Sequence, residues 1–204
     1  MPPPRATAAL VLALLAVTVG GCRGPGARAA ALRPPEVLVE VLPRSARVEL
    51  DGRPIGEGGG AIPSPAAADE HVLRVSADGY EPDERVLPAG SLDGARIAAA
   101  LRPRGSGIAR AIDYDDGPAL AAAAEWLAES GDPRDAAEYA ERAIAVDPGI
   151  AVAHRSLGDA RRRAGDEEGA VAAWAEYLRR APGAADTAEV ERRMEAVRRD
   201  VRIP

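Results

Sequence analysis

The sequence predicts a multidomain chain of the α+β class with strands and helices in separate domains, a small β-sandwich followed by an all-α helical repeat with a C-terminal capping helix. Two observations carry this expectation. Between residues 36 and 103, apolar side chains recur at every second position in short runs broken by Gly and Pro, which is how sandwich strands are written. From residue 117 the apolar period becomes helical and landmarks recur 34 residues apart. A third segment, apolar and N-terminal, precedes both.

Composition narrows the chemistry before any motif is read. The chain has 204 residues, with 46 Ala, 26 Arg and no Lys, Asn, Gln or Phe. Its formal charge is −6 and its pI near 5.1, against the basic face of a nucleic-acid binder. Two His, one Cys, seven Ser and three Thr leave a thin inventory for triads, thiolate catalysis or a His/Cys metal site. The expectation is a non-enzymatic protein with no cofactor, no metal and no nucleic-acid partner.

Residues 1–21 have the layout of a signal peptide: Arg5, an apolar stretch from Ala6 to Val19, then small residues. That stretch of 14 residues is short against the roughly 20 that a spanning helix needs. Val19-Gly20-Gly21-Cys22 resembles the lipobox of bacterial lipoproteins. The resemblance implies cleavage before Cys22, acylation of its thiol and attachment to a membrane, at about 0.8 kcal/mol per buried CH₂. Arg23, where Asp would signal inner-membrane retention in some lineages, favours the outer membrane. Residues 22–35 then read as the lipidated Cys and a tether carrying Arg23, Arg28 and Arg33.

In residues 36–103, Val37, Val39 and Val41 alternate with Leu38, Glu40 and Leu42, and Ala46, Val48 and Leu50 alternate with Arg47 and Glu49. Asp51-Gly52 marks a tight turn that needs φ > 0. Gly56 to Gly60 reads as a loop, His71 to Ser76 as a strand with Leu73 and Val75 on one face, Arg85 to Leu87 as another, and Ile97, Ala99 and Leu101 as the last. The ordered landmarks Pro43 to Gly52, Ile55-Gly56, Glu70 to Val75 and Gly79-Tyr80 resemble a PEGA domain. Membership would imply a surface or spacer module without catalytic residues, in which His71 is structural. Cell-wall or polysaccharide binding is the alternative role for this segment.

Residues 104–116 read as a linker that leaves the two domains mobile, with Asp113 to Gly117 failing as a calcium loop because Gly117 and Ala124 fall at ligand positions. In residues 117–204, Gly131-Asp132 recurs as Gly165-Asp166, Ala136 as Ala170 and Pro148 as Pro182. With Leu157-Gly158, Ala170, Trp174 and Pro182, this period resembles two tetratricopeptide repeats, 117–150 and 151–184. Pro118 and Pro133 suit first-turn positions, with Asp116 or Gly117 and Asp132 as caps. Trp174 is expected in the core and His154 in a packing role. The segment 186–202, with Asp186, Glu189 and a stripe of Val190, Met194, Val197 and Val201, reads as a capping helix with a capping-box-like start.

The resemblance implies a concave surface lined by the first helix of each pair. On this register Glu125, Glu129, Arg155, Asp159, Arg162 and Arg163 point towards it. Arginines beside a groove pair bidentately with carboxylates, so an acidic or C-terminal peptide is the candidate ligand, and a mixed-charge solvated face is the alternative. The functional expectation is an envelope lipoprotein that acts as a protein-binding adaptor or scaffold for an envelope protein. The alternative is a pilot for an exported envelope component.

Overall fold

A computed structural model describes residues 36–65, 69–92 and 94–200. The signal segment, Cys22, the tether and Val201 lie outside the described residues.

Period-two patterning becomes two stacked sheets. One has the order β4-β1-β8, from Gly59–Pro63, Glu36–Leu42 and Arg96–Ala100, with β1 antiparallel to β4 and parallel to β8. The other has the order β3-β2-β5-β7, from Arg53–Glu57, Arg47–Leu50, His71–Ser76 and Asp83–Leu87, all antiparallel. Val37, Val39 and Val41 of β1 and Val48, Leu73 and Val75 of β2 and β5 are buried in one core cluster, so the sheets meet through these faces. A short pair, β6 (Tyr80–Glu81) and β9 (Arg102–Pro103), closes one end. Asp51 and Gly52 have φ of 51° and 71°, as the tight turn between β2 and β3 requires.

The expected glycine loop is instead mostly strand. Gly56 ends up inside β3 and Gly59 and Gly60 inside β4, with Gly58 at the crossing between sheets. Gly59 has φ +81°, and a Cβ there would lie 2.2 Å from the Val39 carbonyl oxygen, so only glycine lets the two backbones come this close. Strands without side chains carry no alternation to read.

Five helices follow: α1 (Gly117–Ser130), α2 (Pro133–Val146), α3 (Ala151–Arg163), α4 (Glu167–Arg180) and α5 (Thr187–Asp200). Asp116 caps α1 by accepting from Ala119 N, Asp132 caps α2 through Arg134 N, and Asp166 caps α4 through Gly169 N. The expected capping box on α5 does not form. The Asp186 carboxylate accepts from Tyr177 and Arg155 instead of a first-turn amide.

The separate-domain architecture is overturned. All described residues belong to one compact unit, and one core cluster runs from Val37 through Leu101 and Ile112 to Leu120, Ala136 and Tyr139. Five helices are too few to stand as a repeat array with its own buried face, and the missing burial comes from the strands. Tyr139 of α2 is fully buried, and its hydroxyl donates to the carbonyls of Leu42 and Leu101 at the ends of β1 and β8. Its ring stacks on Tyr80, centroids 6.3 Å apart, and the Tyr80 hydroxyl donates to Asp135 at 2.7 Å. Arg44 N donates to Glu138 at 2.7 Å.

The expected mobile linker is also corrected. Ile112, 2% exposed, bridges to Ala100 as an extra rung of the β8 edge. Arg142 stacks over Tyr114 and pairs with Asp115, which also holds Arg96 of β8.

Candidate functional site

The groove residues are carried by three helices. Short connections make α1–α2 and α3–α4 hairpins, and α1 lies beside α3 on the same side. Close packing within the second hairpin depends on Gly158, where a Cβ would fall 2.3 Å from Trp174 Cδ1. Trp174 is completely buried, and its indole N–H donates to Asp159 at 3.1 Å, which fixes that carboxylate on the groove side of α3. α5 packs its Val190 and Val197 against Trp174 and Tyr177.

Two adjoining cavities result, of about 190 and 360 Å³, sharing Ala128, Glu129, Asp159 and Arg193. The first contains Glu125, Glu129, Arg155 and Asp159 of the sequence-derived set, and the second contains Glu129, Asp159, Arg162 and Arg163. All six therefore line one groove. They do not do so as free charges. Arg155 pairs with Glu125 and Asp186, and its guanidinium lies 5.9 Å from the Tyr177 ring centroid. Burial opposes its charge, but the Asp186 bond and the Glu125 and Asp186 charges outweigh burial and raise its pKa. The Tyr177 hydroxyl and Arg155 hold Asp186 below the usual carboxylate range. Arg163 donates to the carbonyls of Ala128 and Gly131, satisfying the open C-terminus of α1. Glu129, Arg162 and Arg163 of the six are exposed and have no ion pair among the described residues, and of these Arg163 is held by the two carbonyls.

The sequence pattern missed Asp186, Glu189, Arg193 and Ser156. The first three line the groove because α5 crosses its end; Arg193 pairs with Asp159 at 3.2 Å and Glu189 at 3.0 Å. Glu189 four residues before Arg193 was the available signal, since that spacing puts both on one helix face. Ser156 is 1% exposed, and its Oγ has no hydrogen-bond partner among the described residues.

Both histidines are buried and held by neighbouring groups. His71 Nδ1 lies 2.8 Å from Asp51 Oδ2, and Asp51 also accepts from Val72 N at 2.9 Å, contacts that lower the Asp51 pKa. His154 is 6% exposed, and its Nε2 donates to Pro148 O at 3.1 Å. Burial lowers its pKa more than that bond raises it.

A second cleft, of about 570 Å³, lies between the four-stranded sheet and the start of α2. Arg47, Arg74, Arg104 and Arg134 line it, all exposed and without ion pairs among the described residues, beside Glu57, Asp78, Asp132 and Asp135, so the cleft is balanced in charge. Among the described residues no group of three His, Cys, Asp or Glu could hold a metal ion, and no helix is long and apolar enough to cross a membrane. In comparisons with known proteins, no family model and no curated protein matches this chain.

Proposed function

We propose that the chain is a cell-envelope lipoprotein, held at a membrane through acylated Cys22, that acts without turnover as a protein-binding adaptor, and that the groove along α1, α3 and α5 receives its partner. The observation that carries this reading is the convergence of Glu125, Glu129, Arg155, Asp159, Arg162 and Arg163 on one pair of adjoining cavities. The lipobox-like, PEGA-like and tetratricopeptide-like motifs support it as resemblances, and Arg23 after the Cys makes the outer membrane the proposed address. Capture of one protein by the full chain from solubilised envelope, lost on Glu129→Lys with Arg162→Glu, tests the adaptor role. Equal capture by the variant would rule out the groove. Cys22→Ser should release the chain from membranes, and unchanged retention would defeat the lipid anchor.

The cleft between the sheet and α2 supports a second reading, cell-wall or polysaccharide binding, because its four arginines and four carboxylates, Glu57, Asp78, Asp132 and Asp135, offer both donors and acceptors to a sugar polymer. Sedimentation with purified sacculi, weakened by Arg74→Glu with Arg104→Glu and unaffected by the groove variant, is the expected result for it.

A further inference from the structure

We propose that the groove takes a basic side chain, Arg or Lys, from an extended segment of the partner protein, reversing the acidic ligand expected from its arginines. The proposal rests on the adaptor reading above. The smaller cavity is lined by five carboxylates, Glu125, Glu129, Asp159, Asp186 and Glu189, against the guanidiniums of Arg155 and Arg193, a net charge of −3. Both guanidiniums are already held, Arg155 by Glu125 and Asp186 and Arg193 by Asp159 and Glu189. In the smaller cavity an incoming carboxylate would have to displace one of these partners and would meet the remaining acids; Arg162 and Arg163, which have no ion pair among the described residues, line only the adjoining cavity. An incoming cation displaces nothing and meets Glu129, which has no ion pair among the described residues, while each paired carboxylate retains lone pairs that a second donor can use.

The second observation is independent of charge. Ser156 lines the same cavity with a buried Oγ that has no partner among the described residues. A hydroxyl without a partner is costly when buried, and an ammonium or guanidinium that reaches this Oγ can donate to its lone pairs. Size selects a side chain over a free small molecule. At about 190 Å³ the cavity is below the roughly 300–1,000 Å³ of small-molecule pockets, and the adjoining space of about 360 Å³ lets the chain that carries the side chain continue past Arg162.

The test uses the full chain, solubilised in neutral detergent, on an array of random dodecapeptides, beside Glu129→Lys and Ser156→Ala. Peptides rich in Arg or Lys should dominate, bind more weakly as salt rises, and lose about tenfold in affinity with Glu129→Lys. Glu129 is exposed, so that variant should melt with the parent. Ser156→Ala removes the orphan hydroxyl, so it should melt no lower than the parent while binding basic peptides more weakly, a pairing of effects that a purely structural serine would not give. Groove-dependent selection of acidic or apolar peptides would overturn the charge assignment and leave the adaptor reading standing. Peptide binding indifferent to both substitutions would overturn the proposal, and the envelope capture experiment then decides the adaptor reading separately.

Discussion

Gly158 and His154 sit on the same buried side of α3 and carry opposite kinds of constraint. An alanine at 158 gains about 1 kcal/mol of helix propensity, yet its Cβ would fall 2.3 Å from an indole ring that is itself fully buried. Overpacking of that severity costs about 2 to 3 kcal/mol, so the clash wins. Gly158→Ala should lower the Tm by about 3 to 6 °C, allowing for the propensity gain, and an unchanged melt would show that Trp174 can swing aside. His154 brings a pH dependence. Its folded pKa is depressed by burial, so the unfolded chain binds a proton first as pH falls through the ordinary imidazole value near 6.5. The stabilisation is therefore full above that value and is lost as pH falls towards the folded pKa. His154→Gln should flatten the stability profile between pH 7 and about 5, measured by urea unfolding, and a slope equal to that of the parent chain would assign the effect to other groups.

Elements whose side chains alternate or repeat are legible in the sequence alone; elements defined by what lies far away in the chain are not. β1, β2 and β5 followed from Val and Leu at period two, and the starts of α1 and α2 from Asp-x-Pro-like caps. β4 escaped because Gly59 and Gly60 have no side chains to alternate, and β6 and β9 because two residues make no period. The groove's six residues followed from helical register, whereas their pairing did not, since Asp186 reaches Arg155 from a helix expected only to cover an apolar edge. The least legible element was α2 as a docking element. Its Tyr139 hydroxyl reaches carbonyls 97 and 38 residues away, and no local pattern announces that. Tyr139→Phe keeps the ring and its stacking on Tyr80 but leaves Leu101 O without that donor, while Leu42 O keeps Leu101 N. We expect a loss of about 1 to 2 kcal/mol, read as a fall in Tm of about 3 to 6 °C, and for Tyr139→Leu, which removes the ring as well, a smaller loss in the double variant Tyr80→Leu/Tyr139→Leu than the two leucine singles predict together. Strict additivity would mean the two rings do not act as one contact.

A chain that puts its strands first and its helices last invites cutting at the boundary, and the core argues that such a cut would leave two unstable pieces. Leu101, Ile112, Leu120 and Tyr139 are each no more than 2% exposed, and they belong to a cluster that continues from the sheets into the helices. Removing residues 36–103 would expose the faces of α1 and α2 that bear Leu120 and Tyr139, and five helices have little other apolar surface with which to compensate, given that α5 is buried mainly through Val190 and Val197. Removing everything after residue 103 would expose Leu42, Ala100 and Leu101 and cut away Ile112, the rung that covers the end of β8. The molecule should therefore unfold as one cooperative unit. Indole fluorescence reports only on the helical half, because Trp126 and Trp174 both lie there, while strand signal in infrared spectra reports on the sheets. In the full chain the two should report the same midpoint in urea, and Tyr139→Phe should shift both midpoints equally. Fragments 33–103 and 111–204 should each expose apolar surface to a hydrophobic dye and lack a sharp transition, whereas two separated transitions in the full chain, or a cooperative melt of either fragment alone, would restore two independent domains and leave Tyr139 as a contact on their surface.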